Sequence, residues 1–316
     1  MNPETLIRFE EDLPVRISAY SVKNWPLHSH PNSMQIIYVA RGTVDVKVSF
    51  EHFCLMAGDF IVVNHDDFHY IKSEDGDNVI ISINFDISYY QKLISHSRYI
   101  VFACHSVNVP DFRFNELAAI RRLIAEMADL QMQGPDGWKA GISEKAEEII
   151  GILNDHFTMM MSTQDSLNAT RCFKSERLLL LTRKSIQEIS AECGFSDTKY
   201  YYKHFKLWFR CTPKQYRELY QPEIHKAEDM RALQLSEAVA ALAGAEDKTV
   251  SDGASEQGTS EESVAVATAP MPFAGPAELN IIFHDPQDRE AASKLSKRLQ
   301  TLYPGVRVGV YESTKK

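Results

Sequence analysis

Residues 15–90 read as strands, in part from short apolar runs and in part from alternation, the period of an extended chain with a buried face. In "MQIIYVARGTVDVKVSF", past a Gly turn, Val44, Val46 and Val48 fall on one side and Thr43, Asp45 and Lys47 on the other. "GDFIVVNHDDFHYI" and "NVIISINFDI" are two further short β-branched runs. Closely spaced strands with turn residues between them predict a small barrel or sandwich. The period then lengthens. In "FNELAAIRRLIAEMADLQMQ", Leu117, Ile120, Ile124 and Met127 recur at spacings of three and four, which predicts an amphipathic helix. "GPDG" at 134–137 stops it, and "SEKAEEIIGILNDHF" predicts a second helix from Ser143 to Phe157. The apolar faces of this pair suit an antiparallel hairpin, a seam between two copies, or packing on the barrel.

"SLNATRCFKSERLLLLT" predicts a third long helix over 166–182. It leads into "SIQEISAECGFSDTKYYYKHFKLWFRCTPKQYR", Ser185 to Arg217. Ser185 with Glu188 three residues on is a capping box, and Ile186, Ile189 and Ala191 supply the buried side of a short helix. Gly194 allows the left-handed turn that ends it, and Ser196 is positioned to cap the next. On that next helix Tyr201, Phe205 and Phe209 form a stripe with Phe195, while Thr198, Lys199, Tyr202, Lys203 and Lys206 share the opposite side. "EIHKAEDMRALQLSEAVAALAGA" reads as an acidic helix, and the Gly, Ser, Ala, Pro and Glu-rich stretch 244–277 as a flexible linker. "LNIIFHDPQDREAASKLSKRLQTLYPGVRVGVY" has a strand, helix, strand pattern, with Asp285 and Pro286 opening the helix.

Charge sharpens the picture. The 316-residue chain carries −9, yet between Arg171 and Tyr220 there are 11 Lys and Arg against 5 Asp and Glu. This +6 island leaves −15 on the rest of the chain. A basic helix face behind a short Gly turn suits either a structural hairpin with a solvated lysine side or a helix-turn-helix whose second helix enters the DNA major groove. No apolar run is long enough for a membrane span, and "MNPETLIRFEEDLPV" lacks the basic and apolar character of a signal region, so a cytoplasmic protein is expected. Five scattered cysteines without a CxxC pair predict reduced, mostly buried thiols.

The pattern "SIQEISAECGFSD…YY..HF…F..TPKQYR" resembles the second helix-turn-helix of the AraC family of transcription regulators, and "LNATRCFKSERLLLLT" resembles its linking helix. The resemblance covers 166–219. It implies a regulator that binds double-stranded promoter DNA through Thr198, Lys199, Tyr202, Lys203 and Lys206. A small-molecule effector, most readily a sugar, a homodimer and RNA polymerase are the further partners it implies. Neither catalysis nor a cofactor is expected. The sequence departs from the family in three ways. Arg210 and Cys211 stand where a Gly usually precedes "TP", three tyrosines replace one or two aromatics, and the first helix-turn-helix unit is missing.

"HSHPNSMQIIYVARG" places His28 and His30 two apart on a strand, so both are expected to point to one face, and His69 follows in "GDFIVVNHDDFH". The pattern resembles cupin barrels, in which His-x-His, a Glu and a later His hold a metal. Here Gln35 occupies the Glu position. A neutral amide is a poor ligand, which favours a small-molecule pocket lined by His28, His30, Gln35 and His69 over a metal held by His28, His30 and His69. Three structural histidines are the remaining reading.

The expected architecture is multi-domain α+β. A cupin-like β-barrel (1–106) precedes a helical, dimerising linker (107–160) and an all-α helix-turn-helix (161–221). An acidic helix with flexible linker (222–277) and a small βαβ fragment (278–316) follow. Two other functional classes fit: a cupin metalloenzyme with a three-His centre, and a partner-binding protein that has lost DNA binding.

Overall fold

The computed structural model describes residues 3–49, 51–74, 76–90, 102–107, 113–158 and 163–251, together with the strands at 278–283 and 307–312. Seven strands build a nearly closed antiparallel barrel: β1 (Val15–His28), β2 (Ser33–Arg41), β3 (Thr43–Val48), β4 (Glu51–Met56), β5 (Phe60–Val63), β6 (His69–Lys72) and β7 (Val79–Asp86). They run in the order β4-β3-β6-β1-β7-β2-β5. The turn from β2 to β3 needs glycine: Gly42 has φ 80°, and a Cβ there would meet the Asp77 carbonyl oxygen at 2.5 Å. A one-turn helix, α1 (Ile87–Tyr90), follows β7.

Val22, Ile37, Val39, Val44, Val46, Ile61 and Ile71 fill the barrel interior. The alternate residues Met34, Ile36, Ile81, Ile83 and Phe85 point outward, into a second core shared with α2 (Phe114–Gln133) and α3 (Trp138–His156). Covered on both sides, β2 is buried at every position except Arg41. Leu117, Ile120, Leu123, Ile124 and Met127 of α2 are all buried in this core. Of the three uses open to the helix pair, packing on the barrel together with pairing to each other is what forms, so these residues are not a seam between copies. Gly134 ends α2 in the left-handed region, as its sequence suggests. However, α3 starts at Trp138 behind Gly137, not at Ser143, because the turn is confined to the four residues of "GPDG" and 138–142 join the helix, burying Ile142.

Four helices follow: α4 (Thr163–Leu181), α5 (Ile186–Glu192), α6 (Thr198–Phe209) and α7 (Pro213–Ile224). Only residues 157–162 separate α3 from α4, too few for a further helix-turn-helix. The Ser185–Glu188 capping box forms in both directions, and Gly194 takes φ 81°. The cap of α6 is Asp197 instead of Ser196, its carboxylate accepting from the Lys199 backbone N–H at 2.9 Å. In α5 it is Ser190 that is buried beside Ile189, while Ala191 is exposed. Thr212, Pro213 and Gln215 give α7 a second capping box.

This helical unit docks on the barrel at Lys47, which its strand alternation places on the outer, polar side. The side chain is 0% exposed. Its Nζ donates to the Tyr216 hydroxyl at 2.7 Å, lies 3.9 Å from Glu176 Oε1, and sits 4.1 Å from the Tyr220 ring centre. The Tyr216 hydroxyl in turn donates to Glu176. Tyr216, Tyr220 and Glu223, spaced four and three along α7, meet Lys47, His52 (3.2 Å) and Lys72 (2.8 Å) of the barrel. Arg177 of α4 reaches Glu4 at 2.6 Å and Asp66 at 3.5 Å. Burial pushes Lys47 down to about 8 and Glu176 up to about 7, and each is partly offset by the other's charge.

Past α7 the chain returns to the barrel. Residues 229–233, which the sequence assigns to a helix, form β8 (Asp229–Leu233), paired antiparallel with Ala19–Asn24 of β1. The reason is an open edge: β7 and β6 take the other side of β1, and an unpaired strand edge recruits extended chain. The helix begins only at α8 (Leu235–Ser251), which buries Ala238 and Leu242 against the α2 side of the barrel and runs into the stretch assigned to the linker. β9 (Glu278–Phe283) and β10 (Arg307–Glu312) pair in parallel, as a βαβ unit requires. The helix expected between them and most of the linker lie outside the described residues.

Two predictions follow from this packing. Lys47→Met leaves Glu176 buried without its cation and should cost about 3–5 kcal/mol in denaturant unfolding; adding Glu176→Leu should restore much of that. The loss should shrink as pH falls from 7 towards 4.5, the ordinary carboxyl value. A carboxyl whose folded pKa is raised is neutral in the folded protein before it is neutral in the unfolded chain. Separately, Arg210 ends α6 at φ 61°, the position where the resemblance calls for glycine. Arg210→Gly should raise stability by up to about 1 kcal/mol, read as an upward shift of the unfolding midpoint.

Candidate functional site

Helix α6 presents two opposed faces. Tyr201, Phe205 and Phe209 are buried with Phe195, as their spacing predicts. The Phe205 and Phe209 rings stack at 4.4 Å, and Tyr216 closes on Phe209 at 5.0 Å. This aromatic rear fixes α6 against α4, α5 and α7. On the front, Lys199, Lys203 and Lys206 are exposed, while Thr198 and Tyr202 are half-buried at their margin. Helical spacing therefore gathers all five expected residues on one side, with the three cations outermost. Three ammonium groups on one helix face can meet phosphates or guanine edges.

The histidines of the barrel also come together. One ring nitrogen from each of His28, His30 and His69 lies within 4.8 Å of the others, and all three residues are buried. His28 ends β1, directly opposite His69 at the start of β6. His30 lies past the end of β1, not on it. It is held by the N-terminal segment, where Ser29 pairs with Pro3 and Thr5 through backbone bonds. The Nδ1 atoms lie at 2.7 Å from the Pro26 carbonyl oxygen, 3.0 Å from that of Thr5 and 3.0 Å from that of Asp67, for His28, His30 and His69 respectively. Each Nε2 is buried with no hydrogen-bond partner among the described residues. Trp25 stacks on His28 at 4.8 Å and 13°. Burial pushes His28 down to about 3 and holds His30 and His69 below the ordinary imidazole value, so the rings are neutral.

Gln35 sits on β2 with the alternation of Ile37, facing the barrel interior. Its Nε2 donates to Ser82 Oγ at 2.7 Å, and its Oε1 is buried without a partner. Asn84 donates to the same Ser82 oxygen at 3.1 Å and accepts from Ser33 Oγ at 2.9 Å. One end of the barrel interior is thus polar and the other aliphatic.

Lys47, Glu176 and Tyr216, which join the two units, escape a sequence reading. The signal lay in α7, whose Tyr216, Tyr220 and Glu223 fall on one helix face. All five cysteines are free, three of them buried, as expected.

The AraC-like ligand binding domain family matches residues 16–147, and a helix-turn-helix domain family matches residues 153–219. The chain is 40% identical over 53 residues to the xylose operon regulatory protein of Escherichia coli strain K12, which is 17% of this chain and 14% of that protein. The match thus spans only a small part of the curated relatives' length. Among solved structures, ToxT from Vibrio cholerae is similar at 11% identity and TM-score 0.26, over 65% of this chain and 97% of that one. A cupin-2 domain containing protein from Shewanella frigidimarina is similar at 18% identity and TM-score 0.21, over 25% and 76%. These two likenesses are too loose to carry a fold argument. With one family covering the barrel and its helices, and the other covering α4 to α7, the chain belongs to the AraC family of transcription regulators.

Proposed function

We propose that the protein regulates transcription in the cytoplasm by binding promoter DNA through α6, in response to a small molecule held in the polar end of the barrel. The observation that carries this reading is the lysine face of α6, exposed over a fully packed aromatic rear. Lys199, Lys203 and Lys206 contact phosphate or base edges, and Thr198 and Tyr202 make the finer contacts at the groove wall. His28, His30, Gln35 and His69, with Ser82 and Asn84 behind them, supply the donors and acceptors of the sensor. A hydroxylated ligand such as a sugar suits that inventory, and the name of the xylose regulator supports the class. No catalytic step is required. RNA polymerase is the partner through which a bound regulator acts.

A chain with one recognition helix touches few phosphates and about three or four base pairs. Specific binding therefore needs a second copy, so the active form is a homodimer on DNA.

Lys203→Ala should weaken promoter binding by about 1–3 kcal/mol where the lysine reads a guanine, and should reduce the slope of log affinity against log salt by about 1 where it meets a phosphate. Wild-type binding by the variant across a salt series would exclude this face. Sedimentation of the full-length protein with operator DNA should give two chains per duplex; a tight, sequence-specific one-to-one complex would rule out the dimer.

A further inference from the structure

Backbone strain in this chain is gathered in one place. Among the described residues, three non-glycine residues have positive φ: Ser49 at 51°, Asp66 at 66° and Arg210 at 61°. In this left-handed region a Cβ crowds the neighbouring carbonyl, so such a conformation persists only where its surroundings hold it. All three lie where the barrel meets the helices. The Ser49 carbonyl oxygen is 3.4 Å from the Tyr216 hydroxyl of α7, and the Asp66 carboxylate is 3.5 Å from the Arg177 guanidinium of α4. Arg210 closes α6, and its charge acts on Glu51 of β4.

We propose that Ser49, Asp66 and Asp67 form a strained clasp that ties the docking of the helix-turn-helix unit to the histidine end of the barrel. The turn between β5 and β6 is held from two sides. On the barrel side, the Asp66 N–H donates to the His30 carbonyl at 3.3 Å, and the Asp67 carbonyl lies 3.0 Å from His69 Nδ1. On the helix side, Asp66 meets Arg177, while the Asp67 carboxylate accepts from Ser49 Oγ at 3.1 Å and Ser49 meets Tyr216. Two adjacent residues thus each touch a histidine on one side. On the other they touch a helix, Asp66 directly and Asp67 through Ser49.

A chain of contacts transmits a change only through a part that has two arrangements. The strands do not qualify. Pairing of β6 with β1 and β3 fixes its register, and a slip by one residue would turn every side chain to the other face. The turn does qualify. Its local ties run from the Asn64 N–H and side-chain amide to Asp67 Oδ2, at 3.3 and 3.2 Å, and leave the Asp66 backbone free to relax. The Asp66–Arg177 pair is nearly half exposed on both sides, so its own attraction is small. What it contributes is to hold Asp66 in a conformation that relaxes once His30 or Arg177 lets go.

The strain sets the direction of the effect. Disturbing His30 or His69 frees the turn, and a freed turn loosens its hold on Arg177 and, through Ser49, on Tyr216. The helical unit then docks less tightly. A ligand that steadies the two histidines acts the opposite way; this last step rests on the reading of the barrel end as the sensor. The third strained residue, Arg210, closes the lysine-bearing helix itself, so α6 is attached to the junction at its end.

The test follows amide hydrogen exchange in the full-length protein, with neither effector nor DNA. His30→Asn disturbs the histidine end from outside the strands, and His69→Asn does so from β6. Each should speed exchange of the α7 amides by about fivefold or more, the low end of coupling between separate sites, and leave the α2 amides unchanged. If the His69 variant does not fold, His30→Asn decides alone. In a chain carrying Ser49→Gly and Asp66→Gly, both turns keep their shape without strain and without the side-chain links. There the histidine replacements should leave α7 exchange unchanged. Unaltered α7 exchange in His30→Asn, or the same acceleration with and without the two glycines, would overturn the clasp. So would α2 exchange rising together with that of α7, which marks a general loosening of the barrel. Promoter binding by the same variants reads the DNA function separately, so either reading can fail while the other stands.

Discussion

A lysine ammonium held entirely out of water sets the arrangement of this chain. The amine of Lys47 belongs to the outer wall of the barrel, yet its partners belong to the helices: Glu176 on α4, Tyr216 and Tyr220 on α7. Taking a charge from water costs several kcal/mol unless geometry and further hydrogen bonds offset it. Neither unit offers that compensation alone. The helix-turn-helix therefore docks against β3 and β6, and the pairs Lys72–Glu223, His52–Tyr220 and Arg177–Glu4 mark the rim of the same contact.

That contact lies one residue from the histidine site. In the β3–β6 ladder Val48 faces His69 and Lys47 faces Tyr70. Successive residues of a strand point to opposite faces. His69 and Val48 thus look into the barrel, while Lys47 and Tyr70 look out towards α7. One stretch of two strands carries the proposed ligand site on its inner side and the helix-turn-helix unit on its outer side. For a ligand to change DNA binding it must hold one arrangement of this ladder better than another. The distance over which that preference has to travel is the thickness of a single sheet.

How much of this was legible in the sequence depended on whether the partner was local. The strands, the α2 stripe, the capping box at Ser185, the Gly194 turn and the α6 faces rest on spacing within one element, and all appear. The coming together of His28, His30 and His69 was also legible, through the two-part motif. What failed were features set by a distant partner or by small competitions. Lys47 alternates with Val46 and Val48 as a surface residue does, and nothing nearby reveals that α7 covers it. "DMRAL" sits among good helix formers and becomes β8 because β1 has a free edge. Asp197 displaces Ser196 as the cap of α6 by one position, since either side chain can reach the first free amides. Tyr202 has the spacing of the lysine face but is broad enough to lean back on the aromatic core.

The return of β8 limits what the DNA-binding unit can do when its docking loosens. Behind α7 only residues 225–228 separate the helix from a strand hydrogen-bonded to the barrel, and ahead of α4 only residues 157–162 separate it from α3, also packed on the barrel. At about 3.3–3.6 Å per extended residue, these connections span no more than about 18 Å and about 25 Å. A helical unit tied at both ends on such leads cannot leave the barrel while β8 stays paired. What such leads permit is a tilt, which would turn the α6 lysines relative to the barrel. Full release would also require unzipping β8 from Ala19–Asn24 and lifting Ala238 and Leu242 of α8 out of the core they share with α2. The Lys47 contact is thus the weaker restraint in number of bonds but the one whose charge can be altered without unfolding a strand, which makes it the natural point at which a small change in the barrel reaches the recognition helix.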